Sequence, residues 1–127
     1  MRSRIVTLDQ LRQFEGCESQ LERFELLFGD QVRVTKELCI KHSLDFDFRW
    51  AAEKLFSSNE LRYFRKWVEP DRDEYLTARM SIIAHIANGW RGYTSMDYNT
   101  RMEIARIKYR RAMALAFWKG FANEAGH

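Results

Sequence analysis

Turn-forming residues are scarce in this chain: its 127 residues include one proline and six glycines. A sandwich or barrel of short strands needs a turn about every 8–12 residues, and such turns draw heavily on glycine and proline. Hydrophobic residues make up 46% of the chain and charged residues 31%, which is enough apolar surface for a folded core. The composition therefore predicts an all-α protein, a compact single-domain helical bundle over residues 1–127.

Helix-capping residues divide the apolar pattern into segments. The predicted N-caps are Thr7, Thr35, Asp45 or Asp47, and Ser57. Pro70 is predicted to end a helix because its ring clashes with the preceding turn. Short alternating stretches near Val6 and at Val32–Val34 allow at most a minimal β-bridge, since a two-residue ribbon is not a sheet. We expect five to seven helices.

The last predicted helix begins at Thr94 or Ser95, reaches Asn123 and is apolar on two sides. At about 100° per residue, its apolar side chains form two stripes. The first stripe contains Met102, Ala105, Tyr109, Ala112, Met113 and Ala116, and the second contains Ile104, Ile107, Ala114, Leu115 and Trp118. Such a helix either runs through the middle of the bundle or presents its second stripe to a partner chain.

Charge is unevenly distributed. Residues 1–60 form an acidic half, with 9 Lys/Arg against 11 Asp/Glu, and residues 61–127 form a basic half, with 12 against 7. The last helix is the most basic stretch, and an acidic partner would be attracted to it. If that partner is nucleic acid, the residues expected to meet phosphates are Arg101, Arg106, Lys108, Arg110 and Arg111. The alternative is a solvated basic face without a partner.

Sequence signatures of catalysis are absent: the chain contains no nucleophile elbow, phosphate-binding loop, dinucleotide fingerprint or zinc-protease motif. Cys17, Cys39 and His42 lack the paired spacing of structural zinc sites, and the two cysteines are predicted to be free thiols. We therefore predict a protein that is not an enzyme and that uses no cofactor or metal. No run of about eighteen apolar residues is present, which predicts no membrane contact and a cytoplasmic location.

Aromatic residues are numerous for so short a chain: nine Phe, four Trp and five Tyr. Aromatic residues and arginine are enriched at the centres of protein interfaces. We predict partner contacts through the loop at residues 89–95 and the exposed parts of the last helix. The predicted contact residues are Trp90, Arg91, Tyr93, Arg106, Arg110, Arg111 and Trp118. Trp67 and Phe121 are further candidates, and any one of these aromatics alone is more typical of a core than of an interface.

Four segments of the N-terminal half resemble a family of small bacteriophage and prophage proteins. They are Gly16–Gln20, Leu27–Asp30, Val32–Cys39 and Phe46–Leu55. The family pattern reads approximately ACEEQ, FG, VxVTxExC and FDWxWAA, and the resemblance covers about residues 7–57. It carries no catalytic residues that transfer to this chain.

The resemblance implies an accessory protein of a phage or mobile element, made inside a bacterial cell. Such proteins commonly bind and inhibit a bacterial host complex, including defence systems, as anti-CRISPR inhibitors do. Two alternatives stay open: a basic accessory protein that binds nucleic acid, and a phage structural component that self-associates through the second stripe of the last helix. The sequence is compatible with either a monomer or a homodimer.

Overall fold

The computed structural model describes residues 5–13, 17–87 and 95–122. Within them the chain forms six helices and one two-stranded antiparallel ribbon, so the predicted all-α fold with a minimal β-bridge is confirmed. The elements are β1 (Ile5–Thr7), α1 (Leu8–Arg12), α2 (Glu18–Phe28), β2 (Gln31–Arg33), α3 (Lys36–Lys41), α4 (Phe48–Leu55), α5 (Ser58–Ala87) and α6 (Ser95–Ala122).

The ribbon forms at the predicted position. Val6 of β1 lies opposite Val32 of β2, and the backbone N–H of Leu8 donates to the carbonyl of Asp30 at 2.8 Å. Val6 is buried while Ile5 beside it is exposed, as the alternation of a strand with one covered face requires. The ribbon thereby ties the start of the described chain to the α2–α3 connection.

Local capping explains where the early helices begin. The Thr7 hydroxyl accepts from the Gln10 N–H at 3.1 Å, and the Gln10 side chain accepts from the Thr7 N–H at 3.0 Å, which completes a capping box. The other predicted caps that hold are Thr35, Asp47 and Ser57. Of the two aspartates considered, Asp47 is therefore the one that caps α4.

A chain of aromatic rings connects the N-terminal helices to α6. Phe24 meets Phe46 with ring centroids 6.0 Å apart, Phe46 meets Phe48 at 5.2 Å, and Phe48 meets Phe117 of α6 at 5.4 Å. Edge-to-face and tilted pairs at these separations are favourable beyond the area they bury. The core therefore sits between the N-terminal helices and the C-terminal half of α6.

Helices α5 and α6 pack side by side as an antiparallel hairpin. Lys119 lies over the ring of Trp67 near one end, and Tyr75 stacks on Tyr109 further along, with ring centroids 5.8 Å apart. The C-terminal half of α6 also packs against α3 and α4, where Lys36 lies over the Trp118 ring and Phe48 meets Phe117. The two-sided pattern of α6 thus corresponds to a central helix over its second half.

The prediction that Pro70 ends a helix is wrong, because α5 continues from Ser58 to Ala87 with Pro70 in its interior. A proline inside a helix removes one backbone hydrogen bond and costs about 3 kcal/mol. Packing against α6 on both sides of the proline outweighs that cost: Phe64 and Val68 are buried before it, and Tyr75 stacks on Tyr109 after it.

Candidate protein-binding surface

The predicted contact residues divide into two groups. Trp90, Arg91 and Tyr93 lie outside the described residues, so the predicted contact loop is outside them as well. The other four, Arg106, Arg110, Arg111 and Trp118, lie on α6. The sequence predicts that those four contact a partner, and the structure shows what each contacts within the chain.

Arg110 joins α6 to the turn between α3 and α4. Its Nε donates to the carbonyl of Ser43 at 3.1 Å, and its Nη2 donates to the carbonyls of Leu44 at 3.3 Å and Phe46 at 3.2 Å. A guanidinium presents donors in a fixed fork, which suits it to collecting several carbonyls at one place. The Nε and Nη2 donors of Arg110 are therefore engaged within the fold.

Arg106 and Lys108 are paired with acids on the hairpin. The Arg106 guanidinium donates twice to the Glu103 carboxylate, at 3.2 and 3.0 Å. These hydrogen bonds lower the pKa of Glu103 and raise the pKa of Arg106. The Lys108 ammonium lies 3.4 Å from the carboxylate of Glu74 on α5. Two of the five cations considered for phosphate contact thus lie beside acids of the hairpin.

Arg111 and Trp118 have different surroundings. Arg111 is exposed, and it has no ion-pair partner in the part of the chain that the structure describes. Trp118 is half-buried, and the Lys36 ammonium lies 5.7 Å from the centroid of its ring, in range of a cation–π contact. Of the two further aromatic candidates, Phe121 is buried in the core and Trp67 is exposed.

The end of the hairpin away from the core carries exposed apolar side chains on both of its helices. They are Leu76 (43% exposed), Met80 (64%) and Ile83 (49%) on α5 and Ile104 (50%) and Ile107 (38%) on α6. We call these five residues the outer hairpin surface.

Helix geometry explains why neither helix of the hairpin covers these side chains. Tyr75 faces α6 through its stack on Tyr109, and Leu76, Met80 and Ile83 lie about 80–140° round α5 from Tyr75. Ile104 and Ile107 lie about 140–160° round α6 from Tyr109, on the side away from α5. Ala114 lies on the same side of α6, nearer its C-terminus, and is fully buried in the half of α6 that packs against α3 and α4.

Sequence patterns find only part of this surface. Ile104 and Ile107 belong to the predicted second stripe of α6, for which the sequence allows both a core position and a partner contact. The structure shows a different environment at each end of the stripe, because Ala114 is buried and Ile104 and Ile107 are exposed. Leu76, Met80 and Ile83 are not among the predicted contact residues, since apolar residues at helical spacing are equally typical of a core-facing stripe.

The two cysteines are both free, as predicted, and differ in environment. Burial raises the pKa of the Cys39 thiol to about 12. Cys17 is exposed at the start of α2, and its contact with the Ser19 hydroxyl at 2.7 Å lowers its pKa. Among the described residues, no three His, Cys, Asp or Glu side chains are grouped so as to hold a metal ion.

Comparison with protein-family models, with curated proteins and with solved structures gives no match for this chain. Within the described residues, no helix combines the length and the apolar character needed to cross a membrane. The chain's own surface and chemistry are therefore the basis for assigning a function.

Proposed function

We propose that this chain is a non-enzymatic accessory protein of a phage or mobile element that inhibits a bacterial host complex by occupying one of its surfaces. The outer hairpin surface is its principal contact. The observation that carries the proposal is the concentration of five exposed large apolar side chains at one end of a single helical hairpin. Exposed apolar patches are typical of protein interaction sites, and the outer hairpin surface presents three such side chains on α5 and two on α6.

The surroundings of the cations favour a protein partner over nucleic acid. Affinity for nucleic acid comes largely from Lys and Arg that neutralise phosphates. Arg106 and Lys108 already lie beside the carboxylates of Glu103 and Glu74, and Arg110 is engaged with backbone carbonyls. Three of the five residues considered for phosphate contact are thus held by partners within the chain.

The bacterial and phage context of the proposal comes from the resemblance of the N-terminal segments. Those segments contribute to α2, β2, α3 and α4, and of these α3 and α4 pack against α6. They form the base from which the outer end of the α5–α6 hairpin extends. In this proposal the resembling segments support the hairpin, and the hairpin meets the host complex.

Capture from a nuclease-treated bacterial lysate tests the proposal when wild-type and variant chains are compared. We expect the tagged wild-type protein to retain a stoichiometric protein partner. The double variant Met80→Glu/Ile107→Glu should lose that partner, because it places two charges on the outer hairpin surface. Leu26→Glu is the matched control, since Leu26 is 78% exposed on α2, away from the hairpin.

The purified partner should then bind the wild-type chain directly and the double variant weakly. Equal retention by the double variant would show that the outer hairpin surface is not the contact. Loss of all captured material on nuclease treatment would support the nucleic-acid alternative. Recovery of further copies of this chain alone would support the structural-component alternative.

A further inference from the structure

A groove of about 590 Å³ lies at the other end of the hairpin, between the first turns of α5 and the last turns of α6. Its position is about 20 Å from Met80, measured along α5 from Trp67. The groove is therefore distinct from the outer hairpin surface, and a ligand held in the groove would not need that surface. Its size falls within the range of sites that hold a small ligand or a few residues of a peptide.

Two exposed aromatic rings form one wall of the groove. Tyr63 is 62% exposed and Trp67 is 48% exposed, although both lie on a helix that buries Phe64 and Val68 against the bundle. Helix α6 contributes Ala116, Lys119 and Gly120 to the opposite side, and Lys119 covers one face of Trp67. Because Ala116 and Gly120 are small, a partner's apolar side chain can reach Tyr63 and the other face of Trp67.

Two cations border the same groove. The Lys119 ammonium lies 3.6 Å from the centroid of the Trp67 ring, and the Arg62 guanidinium donates to the neutral side chain of Asn59. Neither cation has a carboxylate partner among residues 5–13, 17–87 and 95–122. The lining acid, Glu60, accepts from the backbone N–H of Ser57 at 2.8 Å in the cap of α5. Among the described lining residues, two cations and one capping acid give the groove a positive balance.

We infer that this groove binds an acidic peptide segment of a protein partner, with a carboxylate between Arg62 and Lys119 and an apolar side chain against Tyr63 and Trp67. Tyr, Trp and Arg are the residue types that dominate the energetics of protein interfaces. Complementary charge would fix the orientation of the segment and exclude basic segments.

A single strand of nucleic acid fits the groove less well. Such ligands need a track of cations along the backbone together with open aromatic faces for the bases. Lys119 covers one face of Trp67, and further along α6 the cations Lys108, Arg106 and Arg110 already have partners within the chain. A short acidic peptide requires neither the track nor the second ring face.

Fluorescence anisotropy with short labelled peptides tests the inference on the full chain. The probes are a peptide with an Asp-Phe-Asp centre, its counterpart with a Lys-Phe-Lys centre, and a single-stranded oligothymidylate of similar length. We expect the acidic peptide to bind about tenfold or more tightly than the basic one, as charge complementarity requires. The same binding should quench the tryptophan fluorescence of the protein.

Three variants locate the site. Lys119→Glu and Tyr63→Ala should each weaken binding of the acidic peptide by about tenfold. This is the size of effect expected when one contributing side chain of an interface is replaced. Lys41→Glu makes the same change of charge at an exposed position on α3, away from the groove, and should leave the affinity unchanged. Circular dichroism of each variant establishes that the helices are retained, and Tyr63→Ala keeps the test decisive if Lys119→Glu fails to fold.

Equal affinity for the acidic and basic peptides, or equal weakening by Lys41→Glu and Lys119→Glu, would overturn the inference. Tighter binding of the oligothymidylate than of the acidic peptide would overturn it in favour of nucleic acid. Either result would leave the proposed role of the outer hairpin surface standing, because that role is tested by Met80→Glu/Ile107→Glu.

Discussion

Arg110 anchors the turn between α3 and α4 to α6 through its hydrogen bonds to three carbonyls. We expect Arg110→Met to lower the free energy of unfolding by about 1.5–3 kcal/mol, the usual range for hydrogen bonds made by a charged group. Arg111→Met is the matched control on the next, exposed position and should change stability by less than about 0.5 kcal/mol. Urea unfolding measures both, and equal effects would contradict the anchoring role.

Gly120 allows α6 to approach the ring of Phe56. A Cβ at this position would lie 2.7 Å from the Phe56 Cε2 and closer still to its Cζ. That ring is held between Phe117 and Phe121, with centroids 5.4 and 5.7 Å away, so it has little room to move. Gly120→Ala should therefore destabilise the protein by about 1–3 kcal/mol despite the better helix propensity of alanine.

Phe56→Leu tests the contact at Gly120, because it shortens the side chain that the Cβ of an alanine at position 120 would meet. In the Phe56→Leu background, Gly120→Ala should cost clearly less than in the wild type, as expected for two residues in contact. Additive costs in a thermal or urea double-mutant cycle would show that the close approach does not set the glycine requirement.

The buried Cys39 thiol makes the free energy of unfolding fall at alkaline pH. Burial raises the pKa of its thiol from 9.0 to about 12, so the folded state keeps a proton that the unfolded state releases. The contribution is complete below pH 9 and is lost as pH rises towards 12, by about 1.4 kcal/mol per pH unit. The free energy of unfolding, measured by urea titration between pH 8 and 10.5, should fall more steeply for the wild type than for Cys39→Ala. Parallel slopes would contradict the assignment.

Helix α5 tolerates Pro70 because tertiary contacts on both sides outweigh the lost backbone hydrogen bond. Pro70 is exposed, so its replacement removes the backbone conflict without opening a cavity. Pro70→Ala should stabilise the protein by about 1–3 kcal/mol, after allowing for the greater freedom that alanine gives the unfolded chain.

Thr77→Ala supplies the control for Pro70→Ala, since it is an exposed change to alanine on the same helix. It should raise stability only by the propensity difference, about half a kilocalorie per mole. The comparison uses thermal unfolding of the two variants. A Pro70→Ala effect no larger than that of Thr77→Ala would show that the helix already accommodates proline without cost.

Sequence patterns predict the elements whose causes are local. The caps at Thr7, Thr35 and Ser57 act over three residues, so the sequence predicts them. The alternation at Val6 and Val32 also predicts the two strands, although their pairing joins distant parts of the chain. The sequence does not predict the continuity of α5 through Pro70, because that continuity depends on packing against α6, which lies far along the chain. Element-level prediction succeeds here where the interaction is short-range.

At the level of the whole molecule, exposure depends on how far the N-terminal helices extend along α6. They cover Ala114 and leave Ile107 exposed, although both belong to one stripe of the same helix. The sequence shows the apolar stripe of α6 but not the position along the helix at which the N-terminal helices stop packing against it. The charge pattern predicts Arg110 as a contact residue but does not reveal its hydrogen bonds to the carbonyls of the α3–α4 turn. Its contact with a partner stays a prediction.

The salt dependence of affinity for the captured partner decides most directly between an apolar protein contact and a phosphate contact. We expect the dissociation constant to change by less than about tenfold between roughly 50 and 200 mM salt, because apolar contacts are little affected by screening. Contacts to about 6–10 phosphates would weaken affinity by about 10³–10⁵ over that range. A loss of that size, with Met80→Glu/Ile107→Glu binding as well as the wild type, would contradict the proposed function.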